Sequence, residues 1–428
     1  MKISIIHLLA ILLLLASCAD KSNPPLEGKR INVLHYDLLK GEEASKFKIH
    51  ASSQEVNNSW PISDIGQFTD IPTNITLQDN IKLSQKVNPR YFYPSYMDSA
   101  ALVVSDIFYS YTGTTLAAYN LLTEKNLWSV SAVKTSDEKQ DIIGGSIAYY
   151  KDVLYLSSGG RDFIAFEASS GKELWRARLP NVVRNIALVR NNQIYVSSTD
   201  NTVSCFNLSG KLIWRYDAPI YSLISSRLYI PSVSYGNKVI TITTAGDLVV
   251  LNRHDGEELT QVNLAASSII GDGSLAKGPI ASPVLNKHNL YILTGESNLL
   301  KIDLENPAVV WQKSFAGAKS FWVTPEVVYI LTEDNQLLAV EGGQGKIVWM
   351  IDLPKEPNNK DLDSFYGPVF AGNQLIVTNA NGKFFTFSPY DGKLTSSNKT
   401  SLSFNRAPIV VNEKAYFIGT NGHVEIWK

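Results

Sequence analysis

Few stretches of this chain place reactive residue types at the spacings that chemistry requires. Gly144-Gly145-Ser146-Ile147-Ala148 sets a serine after two glycines. A strained nucleophile turn needs glycine at its last position, where Ala148 stands. Gly342-Gly343-Gln344-Gly345-Lys346 puts a lysine after a glycine-rich run, the composition of a phosphate cradle. Its glycines are too close together for a loop that wraps a phosphate, so it reads as a hairpin turn. The six His stand at 7, 36, 50, 254, 288 and 423 and form no His-x-x-x-His pair. No helix face therefore offers two imidazoles to a metal. Asp361-Leu362-Asp363 has oxygen ligands for a cation but reads as a solvated loop. The residues assign no catalytic, cofactor-binding or metal site.

Covalent chemistry is expected at one place. Lys2 precedes an apolar run from Ile3 to Ala16. The run is too short to cross a bilayer and has the form of a secretory signal. It ends in Leu15-Ala16-Ser17-Cys18, which resembles the bacterial lipobox. That resemblance implies cleavage after residue 17 and acylation of Cys18. Asp20 lies two residues after Cys18 rather than next to it. The inner-membrane retention signal is thus missing, and the expected location is the periplasmic face of the outer membrane. Several acyl chains on one residue exceed what stable anchoring needs. Cys205, in Val203-Ser204-Cys205-Phe206, has no partner once Cys18 is acylated and reads as a small buried strand residue.

The elements behind these residues repeat. Residues 1–17 read as signal peptide and 18–78 as the acylated Cys and a polar, flexible tether. From 79 to 428 a glycine turn followed by a tryptophan recurs: Gly171-Lys172-Glu173-Leu174-Trp175, Gly210-Lys211-Leu212-Ile213-Trp214, Gly345-Lys346-Ile347-Val348-Trp349. Lys125-Asn126-Leu127-Trp128 and Pro307-Ala308-Val309-Val310-Trp311 keep the Trp without the Gly. Gly256-Glu257-Glu258-Leu259-Thr260 and Gly392-Lys393-Leu394-Thr395 keep the turn without the Trp. Anchor positions 128, 175, 214, 260, 311, 349 and 395 are spaced 38 to 51 residues apart, the period of propeller blades.

Each period divides into four short strands with tight turns such as Asn381-Gly382 and Asn421-Gly422. The first strand often carries Pro (Pro283, Pro325, Pro368, Pro408), which suits an edge facing a central channel. The fold class is therefore all-β: a single eight-bladed β-propeller with four-stranded blades. The last unit ends on Val424-Glu425-Ile426-Trp427 and lacks a fourth strand. Residues 79–88, which contain the alternating run Ile81 to Val87, are expected to supply it and close the ring. The Trp residues then pack blade against blade. A formal net charge of -1 argues against nucleic acid as partner.

The strand, Gly-Lys-x-x-Trp turn and outer strand resemble the repeat of pyrroloquinoline-quinone-type propellers. Lipobox, tether, Trp-anchored blades and closing termini together resemble the BamB-type family of lipoproteins of the outer-membrane β-barrel assembly machinery. Leu26-Glu27-Gly28-Lys29-Arg30-Ile31-Asn32-Val33-Leu34 and Asn58-Ser59-Trp60-Pro61 also look like the segment before the propeller in some members. The resemblance implies a non-enzymatic scaffold without cofactor. Its partners would be a BamA-type barrel-assembly protein and unfolded outer-membrane protein clients. It places partner binding on the loops from blade three to four and from four to five. Here the first is Pro219-Ile220-Tyr221-Ser222-Leu223-Ile224-Ser225-Ser226-Arg227. Tyr221 and Leu223 match the family's apolar pair, while Arg227 is displaced by a few positions. In the second, Ile270 to Ser282, only Asp272 stands near the expected acidic pair. Two alternatives remain open on sequence: a quinone-dependent periplasmic oxidoreductase, and a propeller lipoprotein that binds another envelope protein or polysaccharide.

Overall fold

The computed structural model describes residues 38–39, 47–50, 52–60, 72–89, 100–134, 142, 144–218, 231–243, 246–264, 280–355 and 364–428. Among them every regular element is a strand, and the strands form eight sheets. Within each blade the strands run antiparallel in chain order, from an innermost strand such as Ala100–Val104 to an outermost one such as Lys125–Ser131. The two middle strands are buried on both faces and read almost entirely as apolar residues: Val153–Ser157 and Asp162–Glu167 in blade 2, Val327–Thr332 and Gln336–Glu341 in blade 6. The outermost strands alternate between exposed and half-buried, as Glu258–Asn263 does, because one of their faces meets water.

Closure comes from both ends of the chain. Leu83–Val87 pairs antiparallel with Val424–Trp427, with Lys86 opposite Glu425. Lys82 and Lys428 exchange backbone hydrogen bonds just beyond. The eighth blade is thus three strands from the C-terminus and one from before blade 1. Glu425 is 1% exposed and accepts from the Ser401 amide at 3.0 Å, from Trp427 Nε1 at 3.2 Å and from Lys86 Nζ at 3.3 Å.

The Gly-Lys-x-x-Trp repeat is a lock between neighbours. Each Trp donates its indole N–H to the first carbonyl of the next blade's outer turn: Trp128 to Ala168, Trp175 to Leu208, Trp214 to Arg253, Trp311 to Gly342 and Trp349 to Pro389, at 2.9 to 3.2 Å. The glycine of that next turn lies against the same indole. A Cβ on Gly171, Gly210 or Gly256 would stand 2.5 Å from the ring of Trp128, Trp175 or Trp214. These glycines also have φ between 72° and 82°, where a side chain is strained. The Trp of one blade therefore dictates the Gly of the next.

That rule explains the exceptions. Blade 4 has Thr260 in place of Trp, and the blade 5 turn facing it carries Pro307 in place of Gly. There Lys238 Nζ takes the equivalent carbonyl of Leu304 at 2.8 Å. In blade 8 the anchor position is Gln85, whose amide donates to the Leu121 carbonyl of blade 1 at 3.2 Å. The anchor of blade 7 is Ser396, one residue later than the expected Thr395. The same bulge precedes the anchor in the other blades, so the anchor stands four residues after the turn glycine throughout, and Gly392 leads to Ser396. Pro283 and Pro408 directly precede innermost strands, and Pro368 lies within one. Pro325 instead sits in the hairpin after the innermost strand Ala318–Val323.

The span 18–78 is more than tether. Ser59–Trp60 pairs with the free edge of Ala100–Val104, the innermost strand of blade 1, and so stands inside the ring. Trp60 is 2% exposed and packs against Trp322 of blade 6 with centroids 6.4 Å apart. Ile75 is fully buried and bridges to Ala371 of blade 7. Residues 1–37 lie outside the described set, and with them Cys18.

Candidate functional site

Antiparallel blades sort their connections onto two faces. Hairpins joining strands one to two and three to four lie on one face. Turns joining strands two to three, and passages from one blade to the next, lie on the other. Among the described residues the N-terminal arm meets the first face. Leu38 bridges to Ile347, the first residue of an outermost strand, and His50 bonds Glu326 in a hairpin at 3.1 to 3.2 Å. The described stems of the interblade passages, within which the expected partner residues fall, stand on the second face.

Tyr221, Leu223, Arg227 and Asp272 themselves lie outside the described residues. The ends of their loops are held firmly. The first leaves after Asp217, which accepts from Thr202 Oγ1 at 3.1 Å and pairs with Arg215 at 2.5 Å. It returns at Ser232, whose hydroxyl meets that of Ser197 at 3.0 Å. The second leaves after Leu264, bonded to Gly246 O at 3.1 Å, and returns at Ile280, bonded to Leu293 O at 2.9 Å. Both loops therefore spring from fixed stems on one face, in adjacent passages around blade 4.

The residues weighed for chemistry are placed by the fold in structural roles. Ser146 is buried within the innermost strand of blade 2, and a Cβ on Gly145 would strike Tyr111. The turn at Gly342–Lys346 gives its N–H groups to its own carboxylate: Glu341 accepts from Gly343, Gln344 and Lys346. A phosphate would find those donors taken. Cys205 is fully buried, and desolvation pushes its thiol up to about 12, so it is no nucleophile near neutral pH. Arg176 is fastened to Asp162 at 2.7 Å and to Glu173 at 2.8 Å, with Lys134 on Glu173 at 3.2 Å. Hydrogen bonding from Arg176 lowers the Glu173 carboxyl, which leaves no base free in that cluster. Asp361, Leu362 and Asp363 fall outside the described residues.

A quinone cofactor needs a cation-binding carboxylate set at the channel. No group of three or more His, Cys, Asp or Glu converges among the described residues, and Trp60 stands in the channel. These residues do not fit the group.

Comparison with known proteins gives a consistent family. A family model described as outer membrane protein assembly factor BamB matches residues 112–351. An uncharacterized protein of Rickettsia prowazekii is 28% identical over 341 residues, covering 76% of this chain and 80% of that one. The outer membrane protein assembly factor BamB of Yersinia pestis is 20% identical over 312 residues, covering 71% and 77%. Among solved structures, BamB from Moraxella catarrhalis superposes with a TM-score of 0.61 at 15% identity, over 81% of this chain and 97% of that one. The quinohemoprotein alcohol dehydrogenase of Comamonas testosteroni superposes with a TM-score of 0.64 at 12% identity, over 86% and 80%. At such identities the superpositions show the propeller fold alone.

Proposed function

The chain belongs to the family described as outer membrane protein assembly factor BamB, and we propose from that membership that it is a non-enzymatic scaffold of outer-membrane β-barrel assembly. The match across residues 112–351 carries this reading. In it, Cys18 tethers the protein to the periplasmic face of the outer membrane. The propeller presents its interblade loops to a BamA-type barrel-assembly protein and to unfolded outer-membrane protein clients. Tyr221, Leu223 and Arg227 would contact that partner: two apolar anchors with an Arg are the composition of an interface hot spot. The two loop stems on one face support the placement, because they hold the flanks of both loops fixed.

Two variants test this reading. Leu223→Asp is expected to cut co-purification of the barrel-assembly protein from solubilised membranes by about tenfold, a loss of ~1.4 kcal/mol. Its thermal melt should stay within about a degree of the parent, because an exposed substitution costs little stability. A much lower melt would return Leu223 to the fold, and unchanged co-purification would remove it from the interface. Cys18→Ser is expected to abolish acylation and leave either soluble periplasmic protein or uncleaved precursor. Mass spectrometry of the membrane fraction checks it; an acylated, membrane-bound variant would contradict the anchor.

A further inference from the structure

The arm face carries a recognition device that the scaffold role does not use. In three successive blades, 7, 8 and 1, the first residue after the innermost strand turns its backbone N–H toward the arm. Gly372 donates to Ile75 O at 2.9 Å, Asn412 to Asn57 O at 3.0 Å and Ser105 to Asn58 O at 2.7 Å. All three have positive φ, between 49° and 59°, at the same turn position, so the same backbone donor is presented three times. Blade 6 adds a fourth donor from a side chain: Trp322 Nε1 bonds Thr73 O at 2.8 Å.

The arm answers in kind. Ile75 N–H returns a bond to Phe370 O at 3.1 Å, and Asn57 Nδ2 reaches Val410 O at 2.8 Å. Its two segments are stitched together by Glu55 N–H to Asn74 O at 2.9 Å and Thr76 N–H to Glu55 O at 3.0 Å. Asn74 is fully buried and bonds Asn373 Oδ1 at 2.8 Å. Trp60 then enters the channel beside Val103 and Trp322. Backbone carbonyls are read by amide donors, and one side chain packs against Trp322. This is how extended peptides are recognised: main-chain hydrogen bonds hold the segment, and a pocket selects the side chain.

We propose that the channel mouth is a binding site for an extended peptide bearing a tryptophan, and that the chain's own residues 52–60 and 72–77 are its resident ligand. The site reads the backbone at 58, where a turn donor meets a carbonyl, and selects side chains at 57, through the Asn57 amide on Val410 O, and at 60. A competing extended segment with a Trp in that place would displace the arm. The proposal does not depend on the barrel-assembly partner, whose proposed loops have their stems on the other face.

The test uses residues 19–428, expressed without the signal peptide and Cys18, with a protease site inserted between residues 64 and 68. After cleavage the N-terminal fragment is expected to stay with the propeller in gel filtration at micromolar concentration. A synthetic peptide of residues 52–62 should displace a fluorescently tagged fragment, and the same peptide with Trp60→Asp should need at least tenfold more. Trp60→Asp in the chain should release the fragment after cleavage, whereas Trp60→Phe should retain it. Immediate dissociation of the parent fragment would overturn the proposal, as would equal displacement by the parent and Trp60→Asp peptides. The competition runs on the parent propeller, so it stands even if a chain variant folds poorly.

Discussion

Deleting Gly422 to Trp427, with Lys428 kept, is expected to lower the melting temperature by more than ~10 °C, or to abolish cooperative folding. The deletion removes the one strand among the described residues that Leu83–Val87 pairs with, so the ring loses its join. Val424, Ile426 and Trp427 are all buried in the core. At about 1.5–3 kcal/mol for each fully buried large apolar side chain, the loss is at least ~5 kcal/mol before any hydrogen bond is counted. A whole domain commonly holds only ~5–15 kcal/mol. Glu425 adds a pH signature to the same join. Burial alone would raise its carboxyl, but hydrogen bonds from Ser401, Trp427 and Lys86 outweigh burial and hold it low. A depressed carboxyl stabilises the fold above its unfolded value, and that stability is lost as pH falls through the lower folded value. Glu425→Gln should therefore lower the melt near neutral pH and flatten its decline in acid. A deletion variant that melts with the parent would mean that the ring closes elsewhere.

The second large effect is expected at the lock between blades 3 and 4. Trp214 is 7% exposed, and Trp214→Ala should cost ~3–5 kcal/mol through the cavity and the lost hydrogen bond to the Arg253 carbonyl. Gly256→Ala in the parent should cost several kcal/mol as well, since its Cβ would stand 2.5 Å from the Trp214 ring at a φ of 78°. Combined, the two changes should not add. With the indole gone, only the φ strain of the Gly256→Ala change remains, ~1–2 kcal/mol. Urea unfolding of the four proteins gives the coupling energy. A favourable coupling of ~1–3 kcal/mol supports the lock, and strict additivity would show that Gly256 is there for its backbone alone.

The lock also explains how much of the fold can be read in the sequence. Gly-Lys-x-x-Trp is visible because it couples two blades: one residue supplies the wedge and the next blade's residue makes room. Where the wedge is missing, at Thr260, the room is missing too, at Pro307, and the signal fades at both ends together. The expected Thr395 misses this spacing by one: the four-residue step from Gly171 to Trp175, taken from Gly392, leads to Ser396. The arm is less legible. Asn57, Asn58 and Ser59 are polar, and the groups that hold them are backbone amides of hairpin turns, which no residue type marks. Trp60 is the one apolar signal there, a lone aromatic before Pro61. The expected contact residues Tyr221, Leu223 and Arg227 rest on family resemblance, because a loop between blades need not repeat any period.

The scaffold reading comes down to whether this propeller holds a barrel-assembly protein directly. The purified chain, titrated by calorimetry against the isolated periplasmic domains of a BamA-type protein from the same cell, answers that. The expected result is a saturable isotherm with one partner per propeller, lost in Leu223→Asp and retained in Trp60→Phe. No measurable binding by a parent protein that melts cooperatively would contradict the account.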